Sequence, residues 1–553
     1  MLLFKTLVAG LLPLAAALPP ITRTGKYLYD QNGERFFIKP QGRLAEQTAD
    51  NEEHGGFPEP DSYIDPLSSK DNCTRDLPHL QELGVNAVRV YSVDPSKNHD
   101  DCMKLFDDNG IYVLLDLSLP ANGSINRAAP SWTTALLDEY MRTIDVFNKY
   151  DNVLAYSVGN EVVSRAVNTD AAPFVKAAAR DIKAYLRSIG SNAMVSYSAV
   201  DGDSNFRGGV AEYLTCGNDS VTIDLYGLNN YAWCGSSSVT ASTWSNMVDD
   251  FKNVPVATYM SEYGCIEVKP RLWQEVDALY GDTTVTDVFS GGVAFSYFPT
   301  SDGYGMVEFG GDGKDVTVST DFTNLAQHLK NVTTAKTPAQ SAAQTGSIEC
   351  PADGAKINAS SKLPPTPNKA ACNCVNDNAL SCHVISATAN DPAKMGALTD
   401  YACSLLGQAN TSVTCENISG NGSTGVYGSL SFCSPEVKLN YAMSSFWETD
   451  QKATSCDFGG NATLTPNTPN TQASSEVAAK CLANASAVTT PSATQGGPSQ
   501  TTGVAPTAVV SGGKDAGSDG GDKKDDNKNS GANAVFASLS MVVLAVAGAV
   551  IAA

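Results

Sequence analysis

Two short stretches of this chain could do acid–base chemistry on an oxygen-linked substrate. The apolar run 153–158 delivers Asn160-Glu161, and the run 254–259 delivers Ser261-Glu262. A carboxylic acid can protonate a departing oxygen, a second carboxylate can attack the carbon that oxygen leaves, and an amide beside the first can hold a neighbouring hydroxyl. Hydrolysis or transfer of a glycosidic bond with retention needs such a pair roughly 5 Å apart. Read singly, Asn-Glu recurs on exposed loops, and a lone glutamate can cap a helix or pair with a lysine. Two glutamates, each following an apolar strand, make paired-carboxylate catalysis the better reading.

The elements that would position the pair are strands alternating with helices. Candidate strands cover residues 36–39, 85–91, 112–117, 153–158, 194–198, 222–228, 256–259 and 291–297, with helix-like stretches at 76–83, 133–150 and 171–189. This alternation predicts an α/β fold with a parallel sheet, either a (β/α)8 barrel or a doubly wound open sheet. The barrel is preferred because polar residues gather at the C-terminal ends of the strands, where barrel enzymes carry their catalytic groups. By this count Glu161 ends the fourth strand and Glu262 the seventh, on opposite sides of the barrel mouth. Arg89 stands among apolar residues on a strand, where an unpaired charge is costly. It is expected either to pair with Glu262, favouring the anion, or to form a structural salt bridge elsewhere.

The ordered segments 55–60 (GGFPEP), 86–95 (NAVRVYSVDP), 115–117 (LDL), the Asn160-Glu161 strand, 226–234 (YGLNNYAWC), 261–265 (SEYGC) and 292–297 (GVAFSY) resemble glycoside hydrolase family 72, the fungal Gas/Gel/Phr β-1,3-glucanosyltransferases. The cysteine-rich segment that follows resembles the family's appended carbohydrate-binding module, family 43. The resemblance implies a (β/α)8 barrel that cleaves within β-1,3-glucan and passes the new reducing end to another chain. It implies Glu262 as nucleophile and Glu161 as acid/base, with Asn160 on the 2-hydroxyl and Tyr231 orienting the nucleophile. It places Tyr91 and Asp116 along the donor cleft, and Tyr297 and Tyr304 as rings that stack on sugar. It further implies the disulfides Cys73–Cys102, Cys216–Cys350 and Cys234–Cys265, which leave eight cysteines to the module. One segment departs from the family pattern. Where Ile-Lys-Gly and then Tyr-Gln are usual, this chain reads Ile38-Lys39-Pro40-Gln41-Gly42-Arg43-Leu44, through an altered donor subsite or a misread exon boundary.

Composition divides the 553 residues. Residues 1–17, with Lys5, an apolar run and Ala15-Ala16-Ala17, read as a secretory signal peptide. The barrel is expected over 18–333, a connector over 334–349, the cysteine-rich module over 350–484 and a Ser/Thr/Gly-rich stalk over 485–529. The apolar tail within 530–553 follows small residues and reads as a GPI attachment signal, with Asn529 the preferred attachment site and Ser530 or Gly531 next. An ordinary tail anchor is the alternative. Fourteen cysteines permit full pairing in an oxidising compartment. Asn-x-Ser/Thr sequons, from Asn72 to Asn484, predict a glycoprotein.

The net charge of −22 argues against nucleic acid and anionic membranes as partners. Contact with membrane is therefore expected only through the lipid anchor. The expected partners are β-1,3-glucan donor and acceptor chains, and a monomer is expected. His54, His79, His99, His328 and His383 are scattered, and Cys372-Asn373-Cys374 is too close for a usual zinc pair, so neither metal nor cofactor is expected. Two other functions remain: an endo-β-1,3-glucanase using water as acceptor, and a non-catalytic wall mannoprotein that binds glucan. The module either binds glucan or braces the barrel.

Overall fold

The computed structural model describes residues 18–42, 65–119, 124–300, 302–311, 313–409, 413–465 and 474–483. The signal peptide, the 55–60 segment, the stalk and the attachment tail with Asn529 lie outside the described residues. Eight parallel strands close into a barrel: β1 (Pro40–Gly42), β2 (Ala87–Val90), β3 (Tyr112–Asp116), β4 (Val153–Asn160), β5 (Met194–Val200), β6 (Leu225–Asn229), β7 (Ala257–Tyr263) and β8 (Phe289–Ala294). Each pairs with its successor, and β8 closes the ring on β1 through Ala294 and Gln41. The (β/α)8 barrel is therefore the correct reading, and the open sheet is not. Glu161 follows the fourth strand and Glu262 lies near the end of the seventh.

The strands are apolar almost throughout because both faces are covered, as a parallel sheet wrapped in helices requires. Period-2 alternation divides the work. In β2, Val88 and Val90 face outward into the core beneath the helices, while Ala87 packs in the barrel's lower interior with Leu114, Leu154, Leu225 and Tyr259. Arg89 and Asp116 stand two residues further along β2 and β3, so alternation lifts them above that apolar floor on the same face. A short hairpin, Thr22–Thr24 with Tyr27–Tyr29, closes the lower end and adds Ile21 and Leu28 to the floor.

The hairpin also explains why the first strand is displaced from its expected place at 36–39. The Phe36 amide donates to Leu28 O at 2.8 Å and Arg35 bridges to Tyr29, so this stretch extends the hairpin. Ile38 then bridges to Gly291 and Lys39 O accepts from the Asn86 amide at 3.0 Å, before β1 begins at Pro40.

A second apolar core lies in the module, around Val375, Leu406, Leu439 and Met443. It is mostly helical, with Lys369–Ala379, Pro392–Gln408 and Pro435–Trp447 bound by Cys372–Cys433, Cys374–Cys481, Cys382–Cys456 and Cys403–Cys415. Between the cores, Ile357 and Ala359 pack with the barrel. The seam is polar and specific: Lys369 meets Asp138 at 2.6 Å, Arg180 donates to Pro364 O at 2.8 Å, and Thr134 N donates to Phe432 O at 2.8 Å. Cys216–Cys350 ties the first residue of the module to the barrel.

Candidate active site

At the C-terminal mouth of the barrel, one cation organises four acceptors. Arg89 is completely buried. It donates to both oxygens of Asp116 (3.2 and 2.8 Å), to Glu262 Oε1 and Ser261 O (3.1 Å each), and to Asn160 Oδ1 (3.0 Å). A buried guanidinium is tolerable only with its donors satisfied and its charge balanced, and two carboxylates do both. Of the two expectations for Arg89, pairing with Glu262 is the one observed, with Asp116 as a second partner.

Glu262 is 7% exposed and accepts from three groups. Arg89 and the Tyr91 hydroxyl (2.9 Å) reach Oε1, and the Tyr231 hydroxyl (2.7 Å) reaches Oε2. Burial pushes its carboxyl up to about 7, against the pull of Arg89; the Glu161 carboxylate adds to the rise, and the two tyrosyl hydroxyls oppose it. Glu262 faces three donors, which suit an anion, whereas Glu161 accepts one side-chain bond, from Asn229 Nδ2 at 2.8 Å. The arrangement gives Glu262 the donor set that suits an attacking carboxylate and leaves Glu161 with a single side-chain donor.

Glu161 is held at the turn out of β4 with φ of 52°, a left-handed conformation that costs a non-glycine residue about a kilocalorie or more. Its amide donates to Ser198 O on β5 at 2.8 Å, which fixes the backbone while the side chain stays half-buried at the mouth. Asn160 turns its carbonyl oxygen to Arg89 and to Asn229 Nδ2 (3.2 Å), so its amide nitrogen is the end left to donate.

Aromatic rings wall one side of the pair. Tyr231, Phe295 and Tyr304 form a mutually tilted triangle with centroids 5.1 to 6.2 Å apart, and Tyr91 meets Phe295 at 6.2 Å. Cys234–Cys265 binds the loop after β6, just beyond Tyr231, to the end of β7, just beyond Glu262. Cys73–Cys102 joins the first turns of the helices Lys70–Leu83 and Asp100–Asp108. Cys234 and Cys265 also lie near Glu267, but as a disulfide they offer no thiolate to a metal.

Two expected contacts fall elsewhere. Tyr297 is fully buried and does not line the mouth; β8 ends at Ala294, and the ring packs on Phe298 with its hydroxyl 3.3 Å from Asp76. Asp116 has both oxygens occupied by Arg89 and is 2% exposed, so it serves the cation under the cleft and does not line its surface. Three residues not singled out earlier belong to the site: Asn229, Ser261 and Phe295. All lie in the quoted segments, and Asn229 is the last residue of β6, two positions before Tyr231, which was the available signal.

Comparison with known proteins agrees with this geometry. Residues 12–333 match the family described as glucanosyltransferase, glycoside hydrolase family 72, and residues 380–463 match the X8 domain. The 1,3-beta-glucanosyltransferase gas1 of Schizosaccharomyces pombe is 38% identical over 83% of this chain and 81% of its own length. The 1,3-beta-glucanosyltransferase GAS2 of Saccharomyces cerevisiae is 38% identical over 80% and 77%. A solved structure of Saccharomyces cerevisiae Gas2p in complex with laminaripentaose superposes with a TM-score of 0.71 at 36% identity, covering 81% of this chain and 98% of that one. The similarity thus runs along most of the length of these relatives, and the chain belongs to the family 72 glucanosyltransferases.

Proposed function

We propose that this chain cleaves β-1,3-glucan internally and transfers the new reducing end to the 3-hydroxyl of a second glucan chain. The observation that carries the reading is the polarity of the carboxylate pair, with three donors on Glu262 and one on Glu161. The Glu262 carboxylate attacks the anomeric carbon while the bond to the departing O3 breaks, and Glu161 gives its proton to that oxygen. An acceptor 3-hydroxyl then attacks the glycosyl ester. Glu161 takes the hydroxyl proton, the ester bond breaks, and Glu262 returns as a carboxylate.

Tyr231 and Tyr91 hold the Glu262 oxygens in the attacking orientation, and the Asn160 amide nitrogen binds the 2-hydroxyl of the reacting sugar. Tyr304 and Phe295 offer apolar ring surface to an acceptor sugar. A bound acceptor presents its hydroxyl at high effective concentration, which favours transfer over hydrolysis. The substrate assignment is supported by the structure of Saccharomyces cerevisiae Gas2p in complex with laminaripentaose. The catalytic unit is read as 18–333, the module as 350–484, and the mature chain as a secreted glycoprotein held at the cell surface and wall through a GPI lipid at Asn529.

The test is incubation of the secreted chain, ended before Asn529, with a reduced β-1,3-gluco-oligosaccharide as donor and acceptor, products being followed by mass spectrometry. Products longer than the starting sugar, lost in Glu161→Gln and Glu262→Gln, are expected. Shorter products alone would make the chain a hydrolase.

A further inference from the structure

Four neutral or acidic side chains at the barrel mouth have donor and acceptor ends that could be reversed, and one neighbour that cannot. Arg89 has only donors. Its Nη2 lies 3.0 Å from Asn160 Oδ1, which requires the oxygen of that amide to face it. The same oxygen lies 3.2 Å from Asn229 Nδ2, so the Asn229 amide must present its nitrogen there. That nitrogen also donates to Glu161 Oε1 at 2.8 Å. The opposite end, Asn229 Oδ1, accepts from the Ser261 hydroxyl at 2.7 Å. Ser261 is fully buried and can come this close because residue 227 is glycine: a Cβ there would lie 2.5 Å from both Cβ and Oγ of Ser261.

The geometry points to Asn229 and Ser261 as positioning residues that decide which oxygen of Glu161 carries the catalytic proton. Because Oε1 accepts from Asn229 Nδ2, the proton is confined to Oε2, the oxygen left to face the departing glucan. Reversing the Asn229 amide would set its oxygen against Asn160 Oδ1 and would draw the Glu161 proton onto Oε1, away from the leaving group. The Arg89–Asn160 pair blocks that reversal, and the Ser261 hydroxyl, which can donate or accept, anchors the far end of the amide in place. Arg89 thus orients the nucleophile directly and the acid through two amides, so the two carboxylates of one reaction share a single source of polarity. This inference rests on the proposed roles of Glu161 and Glu262.

The readout is the dependence of cleavage on the leaving group, which reports proton delivery and is indifferent to whether water or sugar later accepts. Asn229→Ala and Ser261→Ala would be compared with the parent chain on a reduced β-1,3-gluco-oligosaccharide and on a dinitrophenyl β-laminaribioside. The phenolate of the second substrate departs without a proton. General acid catalysis contributes a hundredfold or more, so Asn229→Ala should lower kcat/KM on the oligosaccharide about a hundredfold and on the aryl glycoside by less than about fivefold. Ser261→Ala, which removes the anchor and keeps the amide, should lose about tenfold on the oligosaccharide with the same sparing of the aryl substrate. Glu161→Ala sets the full size of the split. Equal losses on both substrates, or no loss on either, would overturn the inference. Should Asn229→Ala fail to fold, the Ser261→Ala comparison decides alone. If Glu161→Ala itself shows no split, or the parent gives no longer products, it is the functional reading that fails.

Discussion

Replacing Glu262 with glutamine keeps the side chain's shape and removes its titration, and the structure sets the size of the consequence. Burial raises the Glu262 carboxyl from 4.5 to about 7. Its folded-state pKa therefore lies above the unfolded one, so between these values the folded protein holds more protons than the unfolded chain. Stability must then fall as pH rises through this window, opposite to the behaviour of a salt-bridged surface carboxylate. A difference of roughly 2.5 pH units at about 1.4 kcal/mol each gives ~3 kcal/mol, and the side chain is only 10% exposed, so solvent screening removes little of it. Glu262→Gln also removes an ion pair from Arg89, but Arg89 keeps its charge at every working pH, so that loss cancels from the pH slope. Unfolding by urea would be followed by tryptophan fluorescence, since Trp132, Trp233, Trp244 and Trp273 are buried in the barrel and only Trp447 in the module. Between pH 5 and pH 8 the variant should gain about 2–3 kcal/mol relative to the parent chain. Parallel curves would refute the claim that burial raises the Glu262 carboxyl in the folded protein, so that ionising it costs the fold stability.

Other perturbations separate the roles of neighbouring groups. Tyr231→Phe removes the 2.7 Å hydrogen bond to Glu262 Oε2, which favours the anion; kcat/KM should fall and its acidic limb should move to higher pH in a pH–rate profile. Arg89→Met leaves Asp116 and Glu262 buried without their cation and should cost about 3–5 kcal/mol, read as a lowered Tm and urea midpoint. Tyr304→Ala and Tyr297→Ala should part company. The first should lower the ratio of transfer to hydrolysis with the urea midpoint nearly unchanged, whereas the second empties a fully buried site and should destabilise the barrel by about 3–5 kcal/mol.

How much of this was legible in the sequence depends on whether a residue's role lies in its own chemistry or in its neighbours' orientation. The two glutamates were legible because they come as a pair, each at the end of an apolar strand, and Arg89 because an ion amid Val88 and Val90 demands a partner. Tyr297 misled because the resemblance carried its role over by position in the sequence, whereas β8 ends at Ala294 and the ring turns into the core. The first strand was misplaced because Phe36 and Phe37 look like barrel strand, yet Phe36 is bonded to a hairpin that no local signal announced. The helices of the module were masked by cysteines whose spacing does not reveal their pairing. Cys372 and Cys374 sit two residues apart on one helix, nearly opposite in azimuth, so one turns into the core to Cys433 while the other reaches Cys481. Asn229 was the deepest omission. An amide has no fixed polarity of its own, and only the chain from Arg89 through Asn160 makes its nitrogen, and not its oxygen, face Glu161. A relative that kept both glutamates but replaced Arg89 with a neutral residue would still look catalytic by its carboxylates. It would lack the cation that bonds one carboxylate directly and turns the Asn229 amide towards the other, and the chemistry requires the two to differ.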